Sequence, residues 1–184
     1  MSRSAAALLG VVLLCACDDA GKMPFRSRSE AVSSSSREMS GPSLFSDDAL
    51  QPALAAMRSK ARGRALRLEI RSTELVLQAE DLDNPGTVLE YHYRDGKLAP
   101  PEHATLRGKG DLKDNLFDLD QVRLDSLPEL LAEAVRRVDP EEGAVEYVLL
   151  RRNLPDSEDV RFRVYVASPR RSGQLDADAL ARPL

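Results

Sequence analysis

Tryptophan is absent, and aromatic residues make up only 4% of this 184-residue chain. Modules that hold sugars or single-stranded nucleic acid usually stack the ligand on aromatic platforms, so the scarcity argues against both. Cysteine and histidine are equally sparse, with two of each. Cys15 and Cys17 both lie near the N-terminus, and His92 and His103 fit no His-x-x-His or His-Glu-x-x-His pattern. The body of the chain is therefore expected to hold no metal, no cofactor and no disulfide, and to depend on core packing. Gly-x-Ser-x-Gly and phosphate-binding glycine loops are missing, and the serines gather in a low-complexity stretch where nothing would preorganise a nucleophile. The net charge of −4 makes nucleic acid a poor partner.

What the chain does have begins at its N-terminus. After Arg3, the ten residues Ala5 to Leu14 are all apolar or glycine. A permanent bilayer-spanning helix needs about 20 such residues, whereas about ten suit the hydrophobic region of a signal peptide. Leu14-Cys15-Ala16-Cys17 follows, with leucine three places before Cys17 and a small residue directly before it. This quartet resembles the lipobox of bacterial lipoproteins. The resemblance implies that residues 1–16 are a leader, that Cys17 receives a diacylglyceryl group, and that the cleaved chain begins there. Cys15 fits less well, because Leu14 before it is too bulky. An ordinary cleaved signal peptide with an incidental cysteine is the alternative. The implied partner is a membrane, reached through lipid on Cys17, and the implied location is the periplasmic side of the cell envelope. Asp18 resembles an inner-membrane retention signal, although sorting rules differ between lineages.

Residues 17–43 read as the lipidated cysteine followed by a tether. Ser-rich and mixed in charge, the stretch shows no apolar period of 3.6 or 2. About 25 flexible residues have an r.m.s. reach of roughly 25–30 Å, enough to lift a domain clear of lipid headgroups.

The remainder, 44–184, reads as one α+β domain built from two repeats, about 44–101 and 116–178. A shift of 77 aligns Asp48 with Asp125, Leu50 with Leu127, Leu54 with Leu131, Arg94 with Arg171, Gly96 with Gly173 and Leu98 with Leu175. Leu50, Leu54 and Met57 form a helical stripe, which Leu127, Leu130, Leu131, Ala134, Val135 and Val138 repeat more strongly. Asp48 and Asp125 are placed as N-caps, with Pro128 in the first turn of the second helix. Leu66, Leu68 and Ile70 alternate with Arg67, Glu69 and Arg71 as in a half-buried strand. Leu89-Tyr91-Tyr93 and Val160-Phe162-Val164-Val166 alternate in the same way. Apolar parity changes between Ile70 and Leu75, so Ser72-Thr73 is expected to be a turn or bulge. Asn84-Pro85-Gly86 and Leu154-Pro155-Asp156-Ser157 read as turns joining paired strands. The expected architecture is two tandem α-β-β-β units forming a two-layer sandwich. That order is topologically similar to tandem PepSY-type envelope modules, with no shared motif residues and so no function carried over.

No catalytic residues are assigned. His92 is expected on the polar face of its strand. The acidic run Asp111, Asp114, Asp118 and Asp120 has Lys113 and Leu116 where calcium would need oxygen ligands. Asp81 to Gly86 begins like a calcium loop but carries Pro85 at its fifth position and His92 where a glutamate belongs. Both segments read as turns and helix caps. The one surface feature with chemistry is Arg152, Arg161 and Arg163, assigned to the outward parity of the second hairpin, followed by Arg170 and Arg171. Planar guanidinium groups there could hold carboxylates or phosphates of an envelope protein or anionic polymer; the alternative is a solvated face balanced by Glu158 and Asp159. The functional expectation is a non-enzymatic binding or accessory lipoprotein. An envelope hydrolase with dispersed residues and a protease-inhibitor or propeptide-like module stay open.

Overall fold

The computed structural model describes residues 42–107 and 110–184. The leader, Cys17 and nearly all of the tether lie outside the described residues. Helix α1 (Asp47–Lys60) leads into three antiparallel strands, β1 (Ala65–Arg71), β2 (Glu74–Glu80) and β3 (Val88–Arg94), followed by two-residue strands β4 (Lys97–Leu98) and β5 (Glu102–His103). A connecting segment with the short helix α2 (Leu112–Asn115) precedes α3 (Leu127–Val138). Three more strands follow: β6 (Ala144–Arg152), β7 (Val160–Ala167) and β8 (Ser172–Asp178).

One eight-stranded antiparallel sheet results, in the order β4-β3-β2-β1-β6-β7-β8, with β5 also on β3. In each half a helix precedes three strands, and the first strands of the two halves, β1 and β6, pair at the centre. The chain is thus the expected α+β two-layer sandwich. The sequence shift of 77 does not trace this arrangement at its second end. It matches Arg94, at the end of β3, with Arg171, in the turn before β8.

The helical stripes bury Leu50, Ala53, Leu54 and Met57 on α1, and Leu127, Leu130, Leu131 and Ala134 on α3. They meet the sheet face carrying Leu68, Ile70, Leu75, Leu77, Val148, Leu150, Phe162, Val164 and Val166. Burial of this many large apolar side chains, at about 1.5–3 kcal/mol each, is the main force holding two layers together without a cross-link. Residues 72–73 form the tight β1–β2 turn that the parity change requires, pairing Ile70 with Leu75. Residue 66 is in fact half-buried and the apolar series starts one place earlier, because a register shift between Ala65 and Arg67 puts Ala65 into the core.

The helix starts differ in detail from the expected caps. The residue before α1 is Ser46, so Asp48 lies within the first turn, where its charge still opposes the helix dipole favourably. The residue before α3 is Ser126, and Asp125 belongs to a short 3-10 turn. Pro128 does sit in the first turn of α3.

Both sheet edges are covered. β4, β5 and the Ala99 amide, donating to the His92 carbonyl at 2.9 Å, line the outside of β3. At the other edge the C-terminal residues fold back on β8: Ala177 bridges Pro183, and the Leu184 amide donates to the Asp176 carbonyl at 3.0 Å. Covered edges discourage strand addition. Among the described residues, α1 and α3 pack on one face of the sheet, and the opposite face is its open side.

Candidate functional site

Strand register assembles the open face in rows. One row runs His92, Val76, Glu69, Leu149, Arg163, Asp176 from β3 to β8. A neighbouring row contains Arg71, Tyr147, Tyr165 and Gln174 across β1, β6, β7 and β8. On the other side, Gln78 pairs Arg67 between β2 and β1, and Arg151, Arg161 and Asp178 align across β6, β7 and β8.

The central strands carry charge and aromatic surface together. Glu69 is buried and accepts hydrogen bonds from both Arg67 and Arg71, the latter at 2.7 Å. The Arg71 guanidinium lies 4.7 Å above the Tyr147 ring centroid, and Tyr147 stacks on Tyr165 with centroids 4.3 Å apart. Arg163 donates two hydrogen bonds to Asp176, each 2.7 Å. Arg151 and Arg161 face each other across β6 and β7, and neither has a carboxylate within 4 Å among the described residues. A recess of about 20 Å³ opens between Leu149, Arg151, Arg152, Asn153, Arg161 and Arg163.

The five arginines singled out in the sequence occupy three places. Arg161 and Arg163 do face outward. Arg152 does not: it pairs with Val160 on the helix-side parity, and its guanidinium donates to the carbonyl oxygens of Leu116 and Glu158, both at 3.0 Å. Arg151 takes the position expected of Arg152. Val148, Leu149 and Leu150 are consecutive apolar residues, which hides the alternation that would have told Arg151 from Arg152. Arg170 and Arg171 lie in the β7–β8 turn. Arg170 donates to Glu142 at 3.0 Å, and Arg171 reaches the carbonyl of Val138 at the end of α3 at 3.5 Å. These two brace the α3–β6 connection and do not join the outward group. Glu158 meets Arg152 through its backbone carbonyl.

His92 lies on the open face, as its parity implies, and is held from both sides. Nδ1 is 2.9 Å from Glu74 and Nε2 is 3.0 Å from Glu90. Only an imidazolium can donate at both nitrogens. The Glu74 bond chiefly raises the His92 pKa above its ordinary 6.5, against the opposing effect of burial. Burial pushes the Glu74 carboxyl up, but hydrogen bonds from His92 and Arg94 outweigh it and leave it below the ordinary carboxylate range. The Gln78 amide, and then His92, lowers Glu90. Because the carboxylates bind opposite edges of the ring, the three groups cannot converge on one ion. An open groove of about 580 Å³ beside them is lined by Glu74, His92, Arg94, Lys97 and Glu102.

The acidic turns serve the backbone. Asp81 is buried and accepts from the Asp83 amide at 3.0 Å and the Asn84 side chain at 2.8 Å, shaping the β2–β3 loop. Asp111 caps α2 through the Lys113 amide, and Asp118 caps the following 3-10 turn through the Asp120 amide. On the helix layer, Phe45, Leu131, Val135, Pro140 and Val145 line an open apolar groove of about 530 Å³.

No protein-family model matches the chain, and no curated protein matches it in sequence. Among solved structures, the fold is similar to that of a "putative lipoprotein" from Clostridium difficile 630. The likeness has a TM-score of 0.54 at 13% identity and covers 78% of this chain and 97% of that one. At this identity the likeness concerns the fold.

Proposed function

We propose that this chain is a lipid-anchored envelope lipoprotein whose sandwich domain is a non-enzymatic binding or accessory module. The lipobox-like Leu14-Cys15-Ala16-Cys17 carries the anchoring half of this reading. The fold-level likeness to a protein described as a lipoprotein is consistent with it. The binding half rests on the open sheet face, where Tyr147, Tyr165, Leu149 and several arginines form the mixed aromatic and guanidinium surface typical of protein contact sites. Membrane attachment is through acylated Cys17, after removal of residues 1–16, on the periplasmic side; Asp18 favours the inner membrane.

The anchoring is tested on full-length protein produced in a bacterium supplied with labelled palmitate. The expected product begins at Cys17, carries label, and loses it in Cys17→Ser. A native product that begins at Met1, or that lacks acyl mass on Cys17, overturns the reading.

One observation favours a second reading, an envelope hydrolase: the groove that brings His92, Glu74 and Glu102 to one side of the sheet. Against it stands the commitment of both His92 nitrogens to carboxylates, which leaves no free imidazole lone pair to act as a base. Ester or peptide hydrolysis abolished by His92→Gln in a folded protein would establish the second reading.

A further inference from the structure

The pairing of Arg151 with Arg161 sets two like charges directly opposite each other on adjacent strands. Such a pair is unfavourable in a sheet unless a counter-charge relieves it. Asp159 lies with Arg161 along a neighbouring groove but forms no ion pair with either arginine among the described residues, and the other nearby carboxylates are already engaged. Asp176 holds Arg163, Glu69 holds Arg67 and Arg71, and Asp178 accepts from Arg182 at 2.7 Å and from the Leu180 and Arg182 amides. The recess between the two arginines is bounded by Leu149 on one side and by Arg163, fixed in place by Asp176, on another.

We infer that this recess is an anion subsite for a carboxylate side chain of a partner protein, which lays an acidic, partly apolar segment across β6 and β7. The inference rests on the open sheet face being the binding surface and names the chemistry it recognises. Three features select a peptide carboxylate. The basic sector is narrow: β1 to β7 spans two strand spacings, roughly 10 Å. It is flanked by acidic groups on the same face, Asp176 and Asp178 on β8 and Glu74 and Glu90 towards β3. A bilayer of anionic lipid or a regularly charged polymer would press its charges onto those carboxylates as well as onto the arginines. Beside the recess, Leu149 and the Tyr147–Tyr165 stack offer apolar contact that suits a side chain neighbouring a glutamate or aspartate. Arg151 is exposed and Arg161 partly exposed, so the pair is reachable without rearrangement.

The test uses full-length protein labelled uniformly with ¹⁵N, following the Nε–H resonances of Arg151 and Arg161 and the backbone amides of Tyr147 and Leu149. The probes are a short amidated peptide alternating glutamate with leucine and tyrosine, its glutamine counterpart, inorganic phosphate, and vesicles of equal parts phosphatidylcholine and phosphatidylglycerol. The glutamate peptide is expected to shift both resonances saturably, the glutamine peptide not to. Arg151→Gln and Arg161→Gln should each weaken binding roughly tenfold or more, as expected for loss of a charge-assisted hydrogen bond, with unchanged unfolding midpoints. No saturable shift with the glutamate peptide overturns the inference, as does equal or stronger binding of phosphate or vesicles. If the peptide binds undiminished in both variants and shifts Tyr147 and Leu149 instead, the arginine subsite fails while the binding face stands. If the peptide drives the chain to dimerise with no shift at the arginines, the subsite fails too.

Discussion

Arg163 and Asp176 meet edge-on across β7 and β8, Nε to Oδ1 and the terminal nitrogen to Oδ2, both at 2.7 Å. The hydrogen bonds to Asp176 raise the Arg163 pKa further above its ordinary value. The side chains are 30% and 23% exposed, so solvent screens the pair only in part. Asp176→Ala removes the counter-charge and leaves Arg163 beside Arg161. We expect a loss of about 1–2 kcal/mol, read as a lower urea midpoint with unchanged slope. Adding Arg163→Ala should recover part of the loss, because the unpaired charge goes with it. Additive losses in the double variant would refute the coupling.

The His92 network predicts a pH dependence of definite sign. With its pKa raised above 6.5 in the folded state, His92 contributes stability that is complete below pH 6.5 and is lost as pH climbs through the folded value. Glu74 and Glu90, lowered from 4.5, contribute stability present above that pH and lost as pH falls through their folded values. Between those limits all three are charged together. Thermal melts should show wild type losing ground to His92→Gln as the medium is made alkaline. A ring-proton titration of His92 that reports a pKa at or below 6.5 would contradict the imidazolium assignment.

Gly63 and Gly86 are both in connections, yet for different reasons. A Cβ on Gly63 would lie 2.1 Å from the Glu80 carbonyl oxygen, where the α1–β1 connection crosses the end of β2. Gly86 has open space around it but a φ of +87°. Gly63→Ala must therefore push backbone apart, at about 1–3 kcal/mol by analogy with overpacking. Gly86→Asn keeps a residue that tolerates positive φ and should cost less than that. Equal unfolding free energies for the two variants would show that the close approach at Gly63 is readily relaxed.

The helices and strand faces were legible in the sequence because burial on one side imposes period 3.6 or 2. Leu127, Leu130, Leu131 and Ala134 of the one stripe and Phe162, Val164 and Val166 of the other series are buried, and Val135, Val138 and Val160 pack partly buried at the margin. Turns with their own chemistry, such as Asp81 to Gly86, were equally plain. The site was legible only in part. Strand order decides which charges become neighbours, and nothing local in β1 foretells that Arg71 will rest on Tyr147 of β6, more than seventy residues on. Arg170 and Arg171 looked like members of an arginine face, but their reach toward Glu142 and Val138 depends on where α3 ends.

Phe162 separates core from face within a single strand. It is fully buried between Leu150 and Ala177, while its neighbours Arg161 and Arg163 point the other way. Phe162→Ala leaves a cavity in the sheet–helix interface and should cost about 3–5 kcal/mol, near the low end if α3 can settle inward. Phe162→Leu should cost much less, because most of the apolar volume is kept. Arg161→Gln, one residue away, should change stability by no more than about 0.5 kcal/mol, as for surface substitutions generally. Urea unfolding of the three variants checks the contrast. A large loss in Arg161→Gln would mean that this guanidinium supports the fold, and that its exposure on the open face is not kept for a partner.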